Sequence, residues 1–401
     1  MTDKTEQILG GVVGGFDAFV LARAAREKGL ILHVADSEAH LNALSCLLGV
    51  IAPDVRVLSF PAWDTIPYDR VSPNPLIESE RLDTLSDLAN NNLSGNTIVL
   101  TCVAAAMQKV PPVDFFKGQT LSFKTGDLFD IAAVQAFLNK NGYTRTEQVM
   151  QAGQYALRGG IVDVFVSGAQ EPYRLDLFGD VLESIRLFSV STQKTTAVVQ
   201  KMSIKPMAEY VLNEKSISDF RTRYRALASG QTGGDMLYES VSAGRKLNGL
   251  EHWLPLFYDK MSTIFDYVPA DTPLYLDEDV KQAVLSRQSQ ILEYYQARLN
   301  VLKNKDSKGL LICGTGVGMM MASNRFEKIR AVLAWEPAVA YFAKRHENAN
   351  VLVLAGGYKD DKFAVKQSSK PEEILKVFLE TEFEGDRHEA RIKMLDEIAK
   401  K

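Results

Sequence analysis

Two periods of apolar and polar positions alternate along the first part of the chain. Leu30-Ile31-Leu32-His33-Val34 and Thr97-Ile98-Val99-Leu100 are short, nearly continuous β-rich runs, the kind buried on both faces of a parallel sheet. Between them Ser37 stands where a helix cap would, ahead of Ala39, Leu41, Leu44, Cys46 and Leu47 on a helical stretch. Pro111-Pro112 breaks this pattern and marks a domain edge just beyond it. Segment 130–141 predicts one helix ended by Gly142. Strands then follow closely over 154–156, 161–165, 173–178 and 181–188, with Gly179-Asp180 as a hairpin turn. Helices dominate 208–300, with one strand over 273–276. Near Ser307 the texture changes again. Leu310-Leu311-Ile312-Cys313 predicts a buried strand running into Gly314-Thr315-Gly316-Val317-Gly318, followed by a helix over 319–329 and a strand over 331–335.

These elements predict an α/β chain in four segments: 1–115, an inserted α+β module over 116–205, a mainly helical 206–302, and a partial Rossmann-like α/β segment over 303–401. The length, 401 residues, suits several compact domains, and 46% hydrophobic residues can fill their cores. Charge changes the picture only by subtraction. Lys and Arg total 46 against 50 Asp and Glu, a net charge of -4, which removes the global basic footprint of a nucleic-acid-gripping surface. Three cysteines far apart (Cys46, Cys102, Cys313) build neither a disulfide framework nor a zinc knuckle. No run approaches the roughly 18–20 apolar residues that span a bilayer, and the first residues do not read as a signal peptide. A soluble cytoplasmic protein is the expectation.

Gly11-Val12-Val13-Gly14-Gly15-Phe16-Asp17-Ala18 lies at a helix entrance, where a P-loop would lie. A working P-loop needs a Lys to neutralise phosphates and a hydroxyl to hold Mg²⁺. Here Asp17 stands in the Lys place and Ala18 in the hydroxyl place. Leu274-Tyr275-Leu276-Asp277-Glu278 resembles a Walker B strand, but without the Lys its acids read as remnants or solvated helix-start residues rather than metal ligands. The expectation is a degenerate nucleotide site (Gly11, Gly14, Asp17, Ala18, Asp277, Glu278) with no ATPase or helicase activity, no cofactor and no metal.

Residues 8–300 resemble the N-terminal part of bacterial transcription-repair coupling factor, itself similar to the excinuclease protein UvrB. The carriers are Phe60-Pro61-Ala62-Trp63-Asp64-Thr65-Ile66-Pro67-Tyr68-Asp69-Arg70 with Ser72-Pro73, Leu157-Arg158-Gly159-Gly160-Ile161-Val162-Asp163, and Tyr173-Arg174-Leu175-Asp176-Leu177-Phe178-Gly179-Asp180. Gly249-Leu250-Glu251-His252-Trp253 and Phe265-Asp266-Tyr267 extend them. The resemblance implies two half-domains of a degenerate RecA-like fold around an inserted module that binds the excinuclease protein UvrA. Carried over, its contacts are Arg158, Arg174 and Phe178, residue types enriched at binding hot spots. Strand alternation alone leaves a second assignment open, in which both arginines pair with Asp163 or Asp176 and Phe178 lies in the core; the resemblance favours binding. The family's polymerase-binding domain and translocase motor have no counterpart in these residues. No aromatic-rich insertion follows Arg70 to wedge between bases, so tight DNA binding is not expected.

Residues from about Ser307 to Lys401 look like the C-terminal half of ribose-5-phosphate isomerase type B and the related galactose-6-phosphate isomerase. Gly309 to Met319, His346-Glu347-Asn348-Ala349-Asn350-Val351-Leu352 and Phe383-Glu384-Gly385-Asp386-Arg387-His388 carry this second resemblance. It implies Cys313 as the proton-removing base with Thr315 handling protons. Gly314, Gly316 and Gly318 would cradle the anionic intermediate, His346 would assist ring opening, and Arg387 and Arg391 would hold phosphate. Glu347 stands where the family has Asn. The family's first half is expected to be missing, with Lys303-Asn304-Lys305-Asp306 as the seam. Such a part would leave an unpaired strand edge and exposed apolar faces, open to docking on 208–300, to self-association or to loose order. Efficient isomerase turnover is not expected. The leading expectation is therefore a DNA-repair adaptor, with a sugar-phosphate isomerase as the alternative.

Overall fold

The computed structural model describes residues 8, 10, 14–93, 95–228, 232, 235–303, 308–326, 329–359, 364–365 and 369–398. The chain divides into two compact units, 1–295 and 296–401.

The first unit begins with α1 (Phe16–Lys28), β1 (Leu30–Ala35), α2 (Glu38–Ile51), β2 (Arg56–Phe60), α3 (Pro75–Ala89), β3 (Thr97–Cys102) and α4 (Val103–Ala106). Ser37 caps α2 as its position suggests, its hydroxyl accepting from the His40 amide. The helix buries Leu41, Leu44 and Leu48 and turns Cys46 and Leu47 outward. β4 (Leu121–Lys124), α5 (Ile131–Lys140), β5 (Thr144–Arg145), β6 (Gln154–Arg158), β7 (Ile161–Val164), β8 (Tyr173–Phe178), β9 (Val181–Phe188), β10 (Thr195–Val199) and β11 (Lys201–Ile204) follow. The unit closes with α6 (Glu214–Leu227), α7 (Met236–Ser242), β12 (Leu274–Leu276) and α8 (Val280–Lys303), the last running past the unit boundary.

β12, β1, β3 and β2 form one parallel sheet in that order, so a strand from beyond residue 270 completes a sheet begun before residue 40. All six residues of β3 are buried, as a central parallel strand requires. The module between the two halves has its own six-stranded sheet, ordered β10-β9-β8-β7-β6-β5. Its entry and exit are tied together by the antiparallel pair β4 and β11, which is how a module can be inserted without separating the strands on either side.

Charge is buried where the module's exit meets α3. Arg81 is fully buried, its guanidinium 4.1 Å over the Phe60 ring, donating to the Pro61 carbonyl at 2.6 Å and lying 3.6 Å from Glu209. One turn on, Lys205 Nζ meets Asp83 at 2.6 Å and Asp87 at 2.7 Å. Two motifs distant in sequence also close on each other. Ser72 Oγ donates to Glu251 at 2.6 Å and accepts from the Gly249 amide, while Asn248 accepts from the Ser72 amide and Trp63 meets His252 edge-on. Gly249 adopts φ +79°, and a Cβ there would run into the Arg70 carbonyl. The two runs Phe60–Pro73 and Gly249–Trp253 are thus halves of one joint.

The second unit holds β13 (Gly309–Cys313), α9 (Val317–Ser323), β14 (Ala331–Leu333), α10 (Pro337–Glu347), β15 (Val351–Ala355), β16 (Tyr358–Lys359), β17 (Ala364–Val365), α11 (Pro371–Glu380) and α12 (Glu389–Ile398). β13, β15 and β14 form a parallel sheet with β15 central, and β16 pairs with β17. The helix expected over 319–329 starts earlier and ends at Ser323. Asn324 stops it by bonding both the carbonyl and the amide of Ala331, a local alternative to the next helical turn. The strand expected over 331–335 is likewise shorter, and the seam residues 304–306 lie outside the described residues.

Candidate binding face and isomerase-like turn

Arg158, Arg174 and Phe178 share a face of the module sheet. Alternation puts Arg174, Asp176 and Phe178 on one side of β8, and the register carries that side through Asp163 and Ile161 on β7 to Arg158 on β6. β6 and β8 are not neighbours; β7 separates them by two inter-strand spacings, about 9–10 Å. The two assignments left open by alternation divide between residues. Arg174 is bidentate with Asp163 at 2.7 and 2.8 Å and lies over the Phe188 ring, and Asp163 is buried. Asp163 raises the Arg174 pKa by accepting these bonds, against the opposing cost of burial. Phe178, by contrast, is 79% exposed at the β8–β9 hairpin, with Ile161, Val181 and Leu128 exposed as well. Arg158 is exposed and donates to the Glu147 carbonyl at 2.6 Å. Sequence reasoning missed Arg186, which pairs with Asp176 on the same face and fixes that second carboxylate.

The degenerate nucleotide site is also rebuilt. Gly11 lies outside the described residues; Gly14 is exposed and Ala18 is buried. Asp17 and Asp277 are joined by His40, whose Nε2 lies 2.9 Å from Asp17 and whose Nδ1 lies 2.6 Å from Asp277. Against the cost of burial, the two carboxylates raise the His40 pKa by hydrogen bonding and charge. Against its own desolvation, Asp277 is held low by His33, the Asp36 amide and His40. Asp277 is therefore engaged rather than solvated, whereas Glu278 is exposed. No local signal pointed to His40, because its partners lie 23 and 237 residues away.

In the second unit Cys313 ends β13, and its Sγ accepts from the Gly316 amide at 3.3 Å. Gly316 takes φ +76° at the entrance to α9, and a Cβ there would strike Leu333. Gly314 and Cys313 carbonyls accept from Gly357 and Gly356, so the turn is stitched to the end of β15. Thr315 Oγ1 lies 3.4 Å from the Val317 amide, and Gly318 faces open space. His346 sits in the last turn of α10, stacked on His388 with ring centroids 4.6 Å apart and 3.6 Å from Glu384. Arg391 meets His388 at 3.1 Å and Glu347 at 4.0 Å, so the Glu at the family's Asn position faces a phosphate-holding candidate. Arg387 lies in the short turn Asp386–His388.

Residues 121–210 match the family model of the UvrB interaction domain, and residues 288–395 match that of Ribose/Galactose Isomerase. The chain joins a coupling-factor-like part to an isomerase-like part. Among relatives, the transcription-repair-coupling factor of Haemophilus influenzae is 34% identical over 278 residues, 69% of this chain and 24% of the relative. That of Escherichia coli is 31% identical over 295 residues, 73% of this chain and 25% of the relative. The chain thus spans about a quarter of the length of the curated relatives it matches. Among solved structures, ribose-5-phosphate isomerase B of Thermotoga maritima has 31% identity over 31% of this chain and 80% of its own, at a TM-score of 0.20. The Mycoplasma genitalium enzyme with bound ribulose-5-phosphate has 31% identity over 32% and 80%, at 0.21. The UvrB interaction match begins at β4 and takes in the whole candidate face. The isomerase match begins inside α8, upstream of the Ser307 boundary read from the sequence. Among the described residues, no helix is long and apolar enough to cross a membrane.

Proposed function

We propose that the chain is a DNA-repair adaptor that docks the excinuclease protein UvrA through the module face bearing Phe178, with no ATPase at the degenerate site of Asp17 and Ala18. The observation that carries this reading is an aromatic side chain 79% exposed beside arginines fixed by ion pairs, a preorganised patch inside the segment that matches the UvrB interaction domain. Phe178 supplies the anchor, Arg158 an outward-facing charge, and Arg174 a rigid support held by Asp163. Residues 1–115 and 206–302 then act as a degenerate RecA-like frame, a reading supported by β12 joining the sheet of β1 to β3.

The test is calorimetric binding of purified chain to UvrA. Phe178→Ala and Arg158→Glu should each weaken binding by at least about 2 kcal/mol, roughly thirtyfold, with circular dichroism unchanged. Arg174→Glu is a poorer probe, because it would leave buried Asp163 facing a second carboxylate. Absence of binding by folded wild-type chain would sink the adaptor reading; wild-type affinity in the Phe178 variant would move the interface elsewhere.

A second reading is sugar-phosphate isomerisation in the second unit, favoured by the isomerase match around Cys313 and its backbone-lined turn. The Cys313 thiolate would take the proton from the sugar carbon beside the carbonyl and return it to the adjacent carbon. Amides of Gly314 to Gly318 would hold the enediolate oxygen and Thr315 would move the hydroxyl proton. Arg387 and Arg391 would hold the phosphate and His346 would assist ring opening. Ribose 5-phosphate turnover that vanishes in Cys313→Ala is the expected result; turnover that survives the substitution rejects this assignment.

A further inference from the structure

The cluster around His40 is used by neither reading, and its geometry goes beyond a decayed nucleotide site. It gathers side chains from four places on the parallel sheet's edge: Asp17 in the first turn of α1, His33 and Asp36 in and just after β1, His40 in the first turn of α2, and Asp277 just after β12. His40 Nδ1 lies 2.6 Å from Asp277 Oδ2 and 3.9 Å from Asp36 Oδ1, while its other nitrogen meets Asp17 Oδ2 at 2.9 Å. His33 is 3% exposed and neither of its ring nitrogens has a hydrogen bond, although Nε2 lies 3.3 Å from Asp277 Oδ1. Asp36 Oδ1 is also buried without a hydrogen-bond partner.

We propose that His40, Asp36 and Asp277 bind a divalent transition-metal ion of the zinc type, with Asp17 as the carboxylate that orients the histidine. The ligand atoms of Asp36, His40 and Asp277 lie within 4.8 Å of one another. Zinc takes imidazole nitrogen and carboxylate oxygen at about 2.0–2.2 Å, so tetrahedral ligands sit about 3.3 Å apart, within a small adjustment of these positions. The Asp17 contact has the form of a carboxylate–histidine–metal arrangement, in which the outer carboxylate accepts the second ring N–H and fixes the tautomer.

A simpler alternative is a proton on His40 bridging Asp17 and Asp277. It accounts for those two contacts, and His33 already approaches Asp277, but it leaves Asp36 Oδ1 unsatisfied, and a buried polar atom without a partner forfeits its hydration for nothing in return. A dication satisfies Asp36 directly, with His33 as a support for Asp277 at 3.3 Å. The donor set also selects the ion. Mg²⁺, the partner of an intact P-loop, prefers oxygen and retained waters, whereas an imidazole with carboxylates suits zinc, nickel or cobalt. The site would then be structural, clamping α1, α2 and the C-terminal ends of the neighbouring parallel strands β1 and β12.

The experiment is zinc titration of the full chain, stripped with chelator and dialysed, followed by calorimetry and by the visible spectrum of the cobalt(II)-substituted protein. One equivalent should bind. Asp36→Asn and His40→Ala should each weaken it at least tenfold, and Asp17→Asn by about 10–100-fold as an orienting carboxylate. Asp36→Asn is the safer variant for folding, because its Oδ1 makes no hydrogen bond. His346→Ala, which removes a separate His–Glu–His group in the second unit, should leave this binding intact. Failure of the stripped chain to bind zinc, or binding that survives both Asp36→Asn and His40→Ala, overturns the proposal and leaves a proton-bridged joint.

Discussion

The chain contains two parallel sheets that meet the same burial problem to different depths. In the first unit β3 is buried along its whole length, and nearby charges such as Arg81 and Glu209 are buried in contact with each other. In the second unit β15 is almost as well buried, but β13 beside it alternates, leaving Leu310 and Ile312 at 42% and 61% exposure. A parallel strand needs cover on both faces. The first sheet has helices enough to provide it, and its surplus packing encloses ion pairs. The second is three strands wide and leaves one face of β13 open to solvent.

The sharpest way to break that contrast is Arg81→Ala. It strands buried Glu209 without its cation, and unfolding of the first unit should ease by about 3–5 kcal/mol. Hydrogen exchange, resolved by segment, should place the loss in 14–295 and leave β15 protection unchanged. A loss shared equally by both units would mean that they unfold together. An intermediate effect comes from pH. Burial together with neighbouring Glu251 pushes Glu78 up to about 8, and burial pushes Glu209 up to about 7 against the pull of Arg81. The folded state therefore keeps protons that the unfolded chain releases above about 4.5. Stability of the first unit should fall as pH rises from about 4.5 towards 8, then level off, and Glu78→Gln should flatten that slope in urea melts taken across the range. A slope of the opposite sign would contradict the buried-acid account.

The smallest effect on folding is expected at the open strand. Leu310→Ser with Ile312→Ser should change stability by no more than about 0.5 kcal/mol per substitution, as exposed positions do. The same variant should reduce any concentration-dependent self-association seen by sedimentation, because an uncovered apolar strand face is what a second copy would cover. Unchanged sedimentation alongside a large stability loss would show that the strand is covered after all.

Much of this was legible along the chain. The β8–β9 hairpin was visible because Gly179-Asp180 punctuates two alternating runs, and Ser37 was visible as a cap because capping is a local bond. The helix after Gly318 was overextended because Asn324 ends it through a contact seven residues away, outside a periodicity argument. Arg158, Arg174 and Phe178 do share a face, but that β7 lies between their strands is a tertiary fact. Arg174 shows the limit most clearly: alternation fixed its side of β8, while only the register opposite Asp163 revealed that its charge is already engaged.

Local sequence determined the elements, the decayed P-loop with Asp17 in place of Lys, the two family resemblances and the cysteine turn. These rest on interactions a few residues long, or on motifs read directly from side-chain identity. Tertiary structure alone decided that Phe60–Pro73 closes on Gly249–Trp253, that Phe178 stands out while Arg174 is held in, and that Asp17, His40 and Asp277 meet. Each of those joins groups far apart in the chain. Their energies come from burial and charge, which depend on what folds against them rather than on what precedes them in sequence.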